Sequence, residues 1–130
     1  ISFQSNGTTV AGMNSTGWTG DGSQLSGLAY INVPPVGTKT SSYTLTTSDI
    51  GKYVQVGSGG SITIPNSTFS EGDVVSIFNN TTGNVTITCS ITTAYKAGEN
   101  TDISTATLST RGIATVLFIS GTVCVISGNI

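Results

Sequence analysis

Glu71 and Asp73 flank Gly72, and two carboxylates so placed could act as the acid and base of a glycoside hydrolase. The surrounding "SEGD" has a simpler reading, a tight turn whose carboxylates keep it in water. Glu99, Asn100 and Asp102 gather oxygen ligands in one segment, but too few at the right spacing to hold Ca²⁺. The chain has no histidine, so the usual general base and activator of a nucleophile is missing. Two cysteines without histidine make a poor zinc set. Cys89 and Cys124 each sit in a strand-like run, and read either as two buried free thiols or as a disulfide. The "GSGG" at 57–60 is not followed by Gly-Lys-Ser/Thr, so it is not a phosphate loop. No catalytic residue, cofactor or metal is expected, and the chain reads as a non-enzyme.

Aromatic side chains offer a different chemistry, since sugars stack on their faces. Trp18 in a Gly-rich turn and Tyr95 in a long loop, "YKAGENTD", are the candidates for a glycan contact. The competing account wedges Trp18 at a subunit interface and lays the tyrosine rings over core edges.

Stepping outward from these residues, composition bounds what can hold them. Only 8% of the 130 residues are charged, against a usual quarter, while 36% are hydrophobic, so disorder is not expected. Ser and Thr, 41 residues between them, must carry the surface. Thr and Val favour strands and the helix formers are scarce, which makes the chain all-β. Lys39, Lys52, Lys96 and Arg111 are scattered, so there is no basic patch for nucleic acid. Scarce lysine also leaves strand edges unguarded against other copies of the chain. Residues 1–12 lack the basic and apolar regions of a signal peptide. An initiator Met is normally removed only before a small residue, so Ile1 is expected to mark a fragment, a processed chain or an ordered remnant.

Two regions are expected: a Gly-rich, mostly extended arm or linker at 1–42 and an antiparallel β-sandwich or small barrel of about 8 strands at 43–130. In the arm, Ser23 could cap one short turn carrying Leu25 and Leu28. Ala29, Ile31 and Val33 alternate with Tyr30 and Asn32 as a strand would, before Pro34-Pro35 opens an extended linker. From Tyr43 onward, "YTLT", "KYVQV", "SITIP", "VVSIFN", "VTITCSI", "STATLS", "GIATVLFI" and "TVCVIS" read as strands. "TSDIG" is a turn with Ser48 or Asp49 as a local cap, and "TTGN" reads as a hairpin turn. Turns recur about every ten residues, as in sandwiches and barrels.

The last twenty residues, "RGIATVLFISGTVCVISGNI", hold one charge. A membrane helix needs about 20 uninterrupted apolar residues. Ser120, Gly121 and Thr122 cut this run near its middle, so it reads as two strands and no membrane insertion is expected. Val116 and Phe118, and Leu117 and Ile119, make the first of them apolar on both faces. One face can pack on the domain's own second sheet; the other needs a loop, the arm or a neighbouring subunit. Val116 and Phe118 are expected to meet that neighbour.

The run from "YTLTTSDIGKYVQVGSGGSITIPNSTFSEGDVVSIFNNTTGNVTIT" to "ATLSTRGIATVLFISGTVCVISGNI" resembles a small β module of tailed-phage virion proteins, notably marine and cyanobacterial ones. The pattern is YTLT, D-x-GKY, S-x-T-x-P, F-x-x-GD-x-V-x-I and a closing RG-x-AT-V-x-x-x-SG-x-V-x-V-x-G hairpin, over Tyr43 to Ile130. "WTGDGSQLSGL" is similar to linkers of phage fibre proteins. The resemblance implies a virion structural protein at the particle surface that assembles as a homotrimer in a tail fibre, a head fibre or a capsid decoration. It implies other virion proteins, and a host surface glycan, as partners, and it assigns no catalytic residue. Leu25, Leu28, Ile31 and Val33 are the arm residues expected around a threefold axis, unless they pack on their own domain. Cys89 and Cys124 depart from the family's pattern. The expected function is a trimeric fibre or appendage module that touches the host. The alternatives are a decoration protein that stabilises the phage head and a bacterial carbohydrate-binding or adhesin module.

Overall fold

A computed structural model describes residues 2–15, 17–20 and 32–130. The chain divides into two compact units, 1–32 and 33–130. In the first, β1 (Ser2–Ser5), β2 (Thr8–Asn14) and β3 (Gly17–Gly20) form an antiparallel sheet in the order β1-β2-β3. Asn6 and Gly7 join β1 to β2 with φ of 51° and 78°. Two consecutive positive φ values are what a tight hairpin turn requires, and Asn-Gly is the pair that adopts them most readily. This paired sheet replaces the mostly extended arm expected over these residues.

The second unit is all-β, as expected, and has ten strands. They are β4 (Pro35–Lys39), β5 (Ser42–Thr44), β6 (Tyr53–Val56), β7 (Ser61–Ile64), β8 (Val74–Asn79), β9 (Val85–Cys89), β10 (Thr93–Lys96), β11 (Thr105–Leu108), β12 (Ile113–Phe118) and β13 (Val123–Gly128). They build a six-stranded sheet, β10-β13-β12-β8-β6-β4, and a four-stranded sheet, β11-β9-β7-β5. A single 3-10 turn at Thr47–Asp49 links β5 to β6.

From β4 to β9 the chain changes sheet at every step, so strands two apart in sequence become neighbours and run parallel. Parallel strands need a long crossover, usually a helix. Here the crossover is a strand of the opposite sheet. Among the described residues, β12 is the one strand of the large sheet that runs against its neighbours, and β11 the one of the small sheet. The expected antiparallel pairing is therefore corrected to mixed. The hairpin expected at "TTGN" is corrected too: β8 and β9 lie in different sheets.

The expected linker over 34–42 contains β4, which pairs with β6 at the edge of the large sheet. Pro35 starts this strand, the position where its missing N–H is tolerated. The boundary between units thus falls after Asn32, ten residues before the one expected at 42. Most of the strand expected at 29–33 lies outside the described residues, and Asn32 and Val33 are not in a strand.

Alternation drives the packing. Val54 and Val56, Val75 and Ile77, Ala114, Val116 and Phe118, and Cys124 and Ile126 turn inward from the large sheet. Ile62 and Ile64, Val85, Ile87 and Cys89, and Ala106 and Leu108 turn inward from the small one, forming one core between them. Phe69 leans over this core and stacks on Phe118 with ring centroids 4.0 Å apart. Near the chain end Gly128 has φ of 123°, and a Cβ there would lie 2.1 Å from the Ile113 carbonyl oxygen. Only glycine lets β13 pass β12 this closely.

Candidate functional site

The two sheets present opposite chemistry on their outer faces. In the four-stranded sheet the outward positions are all Ser or Thr. The six-stranded sheet shows water large apolar side chains: on β12 Ile113 is 56% exposed and Leu117 40%, and Ile119, just past the strand's end, is 46%.

Register turns these into rows. Tyr95, Val125, Leu117 and Val74 stand side by side on β10, β13, β12 and β8. A second row pairs Ile113 with Phe78 and then Gln55. Between them runs a more polar row of Ser127, Thr115, Ser76 and Tyr53. Val33, itself 54% exposed, joins Tyr53, Gln55, Ser76, Phe78 and Ile113 around an open groove of about 410 Å³. Apolar surface gathered in this way, flanked by polar residues, is the usual mark of a docking face.

Val116 and Phe118, the pair expected at a subunit interface, are fully buried in the sandwich's own core. The correction is one residue: side chains alternate along a strand, so Leu117 rather than Val116 or Phe118 faces outward from β12. Val33 is on the surface. Leu25, Leu28 and Ile31 lie outside the described residues. Ile113, Phe78 and Val125 escaped the sequence reading, although their alternation with buried neighbours was visible in it.

Tyr95 is not in a loop. It belongs to β10, where it pairs with Val125 and forms a bridge to Asp102. Trp18 lies on β3 opposite Met13, and its side chain is outside what is described. The two aromatics belong to different units.

Four of the carboxylates, Asp49, Asp73, Glu99 and Asp102, are engaged locally. Asp73 closes its turn by accepting from the Ser70 N–H at 2.8 Å, and Asp102 accepts from the Ala94 N–H at 2.9 Å. Glu99 faces Lys96 at 3.5 Å, an exposed pair of little energetic weight. Asp49, 1% exposed, accepts from the Thr46 N–H at 2.8 Å and receives the Tyr43 hydroxyl at 3.0 Å on both carboxylate oxygens. It is a structural anchor for the 3-10 turn. Burial, followed by this hydrogen bond, raises the Tyr43 pKa above its ordinary value.

Cys89 and Cys124 are both free and both buried. Burial, then the charge of Asp102, pushes the Cys89 thiol up to about 11. Burial, then Cys89 and Asp102, pushes Cys124 up to about 12. Thiols so raised are poor nucleophiles at neutral pH. Among the described residues no three His, Cys, Asp or Glu side chains come together as a metal site would need, and no helix is long and apolar enough to cross a membrane. No family model, curated protein or solved structure matches the chain.

Proposed function

We propose that this chain is a non-enzymatic structural module of a phage virion, a homotrimeric fibre or appendage domain that attaches to the particle and touches the host surface. The observation that carries the self-association is the Tyr95–Val125–Leu117–Val74 row on the outer face of the six-stranded sheet. A sheet closed by a core on one side and apolar on the other has a second surface to bury. The resemblance of residues 43–130 to phage particle modules supplies the setting. The absence of histidine from the sequence supports a mechanical rather than a catalytic role.

Light scattering on the intact chain tests the assembly. The expected mass is three times that of the 13.2 kDa chain. A monomer at every concentration would overturn the trimer. An antibody raised against the chain tests the setting: it should decorate one end or one surface of tailed particles, and unlabelled particles would remove the virion assignment.

A further inference from the structure

The outer face of the four-stranded sheet is a lattice of hydroxyls. Each strand contributes two outward positions: Ser42 and Thr44 on β5, Ser61 and Thr63 on β7, Thr86 and Thr88 on β9, Thr105 and Thr107 on β11. The residues between them on β7, β9 and β11, Ile62, Ile87 and Ala106, are buried, which fixes the direction of the rest. The pairing is Ser42 with Ser61, Thr44 with Thr63, Thr63 with Thr88, and Thr88 with Thr105. Thr86 pairs with Thr107, and the Ile62–Ile87 pair sets Ser61 beside Thr86. Two ranks result, Ser42–Ser61–Thr86–Thr107 and Thr44–Thr63–Thr88–Thr105, with no register shift in either.

Ser and Thr make up 41 of 130 residues, so all eight outward positions being hydroxyl-bearing is far more than composition supplies. Ser42 and Ser61 bring their oxygens to 3.1 Å of each other. The six threonine hydroxyls make no hydrogen bond within the protein among the described residues, so their polar atoms face outward unused.

Spacing within this face comes from sheet geometry: about 4.8 Å between strands, and about 6.6 Å between outward residues of one strand. Threonine is β-branched and restricted at χ1, so six of the eight sites offer a hydroxyl and a methyl at fixed places. Little conformational freedom remains to be lost on binding. The ranks carry no charge, which removes phosphates and polyelectrolytes as partners. They carry no aromatic ring, which removes the stacking platform a sugar needs and the large anchors that dominate protein interfaces. The remaining fit is a neutral solid whose own surface repeats hydrogen-bond donors and acceptors.

We propose that this face binds ice, the two ranks meeting ordered water on a crystal plane. Single contacts are weak, and adsorption needs many sites engaged together.

The test is ice recrystallisation and crystal shape in the presence of the intact chain. The expected result is suppressed grain growth and faceted crystals. Thr88→Lys puts a charge between Thr63 and Thr105 and should abolish both effects. Thr82→Lys, the same charge in the exposed β8–β9 loop, should leave them unchanged. Thermal melts and subunit mass are recorded for each variant, and Thr86→Lys replaces Thr88→Lys if the latter does not fold. Ordinary round crystals with the intact chain would overturn the proposal, and so would full activity in the lysine variant. Retention on an insoluble neutral polysaccharide without any effect on ice would also overturn it. The trimer mass is read separately, so either proposal can fail alone.

Discussion

Val116 and Leu117 are consecutive on β12 and belong to different surfaces: Val116 is sealed between the sheets, while Leu117 stands 40% exposed between Val74 and Val125. The same chemical change should therefore have two outcomes. Val116→Asp buries an unpaired charge, costs more than about 4 kcal/mol, and should abolish the cooperative urea transition. Leu117→Asp should leave the monomer within about 1 kcal/mol of its stability and reduce the light-scattering mass to one chain. A trimer that survives Leu117→Asp would move the interface elsewhere.

Tyr43 and Asp49 form a second testable pair. The Tyr43 hydroxyl donates to both carboxylate oxygens, and Asp49 also holds the Thr46 N–H. Tyr43→Phe should lower unfolding stability by about 2 kcal/mol, the range for a hydrogen bond to a charged group. Asp49→Ala leaves a buried donor unmet and should cost about 2–3 kcal/mol. The double variant should cost less than the sum, because both changes break the same contact. Additive losses in urea titrations would mean that the two residues act independently.

The buried thiols set an alkaline limit. Their folded-state pKa values, about 11 for Cys89 and about 12 for Cys124, lie above the ordinary 9.0. The unfolded chain ionises first as pH rises, so this stabilisation is complete below pH 9.0 and is lost through about 11 and then about 12. The urea midpoint should fall between about pH 8 and about pH 10.5, and the fall should be shallower in Cys89→Ala/Cys124→Ala. Equal slopes for the two proteins would show that the thiols are not what titrates.

Alternation made the strands legible and left their partners hidden. The runs at 53–56, 61–64, 74–79 and 85–89 alternate as the sequence suggests, because each strand has one face on a core. Period two says nothing about strand direction. Parallel sheets usually reveal themselves through intervening helices or strands buried on both sides, and a chain that winds between two sheets needs neither. Asn6-Gly7 was a readable hairpin signal, with Ile1 and Phe3 alternating with Ser2 and Gln4 before it. From Val116 to Ile119 all four residues are apolar, so composition could not separate Val116 and Phe118 from Leu117 and Ile119; only Thr115 marked which parity faces out. The hydroxyl ranks were invisible for a related reason: "SYT", "SIT", "TIT" and "TAT" are ordinary exposed-strand sequences until register aligns them.

Asn79 closes the far end of β8 from a fully buried position. Its amide nitrogen donates to the carbonyls of Gly83, Leu108 and Ser109 at 2.8, 3.2 and 2.9 Å, and its oxygen accepts from the Thr81 N–H and hydroxyl. This amide joins the β8–β9 crossing to the end of β11, the bridge that a simple hairpin would not require. Asn79→Asp keeps the shape and turns the donor into a charged acceptor facing three carbonyl oxygens. At neutral pH it should cost about 3–5 kcal/mol, the scale of an uncompensated buried charge. Protonation removes that charge and restores one donor, so the folded state raises the pKa of the introduced carboxyl. The deficit should shrink as pH falls from about 7 to about 4, where the parent chain shows no matching gain. Urea midpoints of both proteins across that range decide it: a deficit that stays constant with pH would mean that the amide's two N–H groups, shared among three carbonyls, do not hold this crossing.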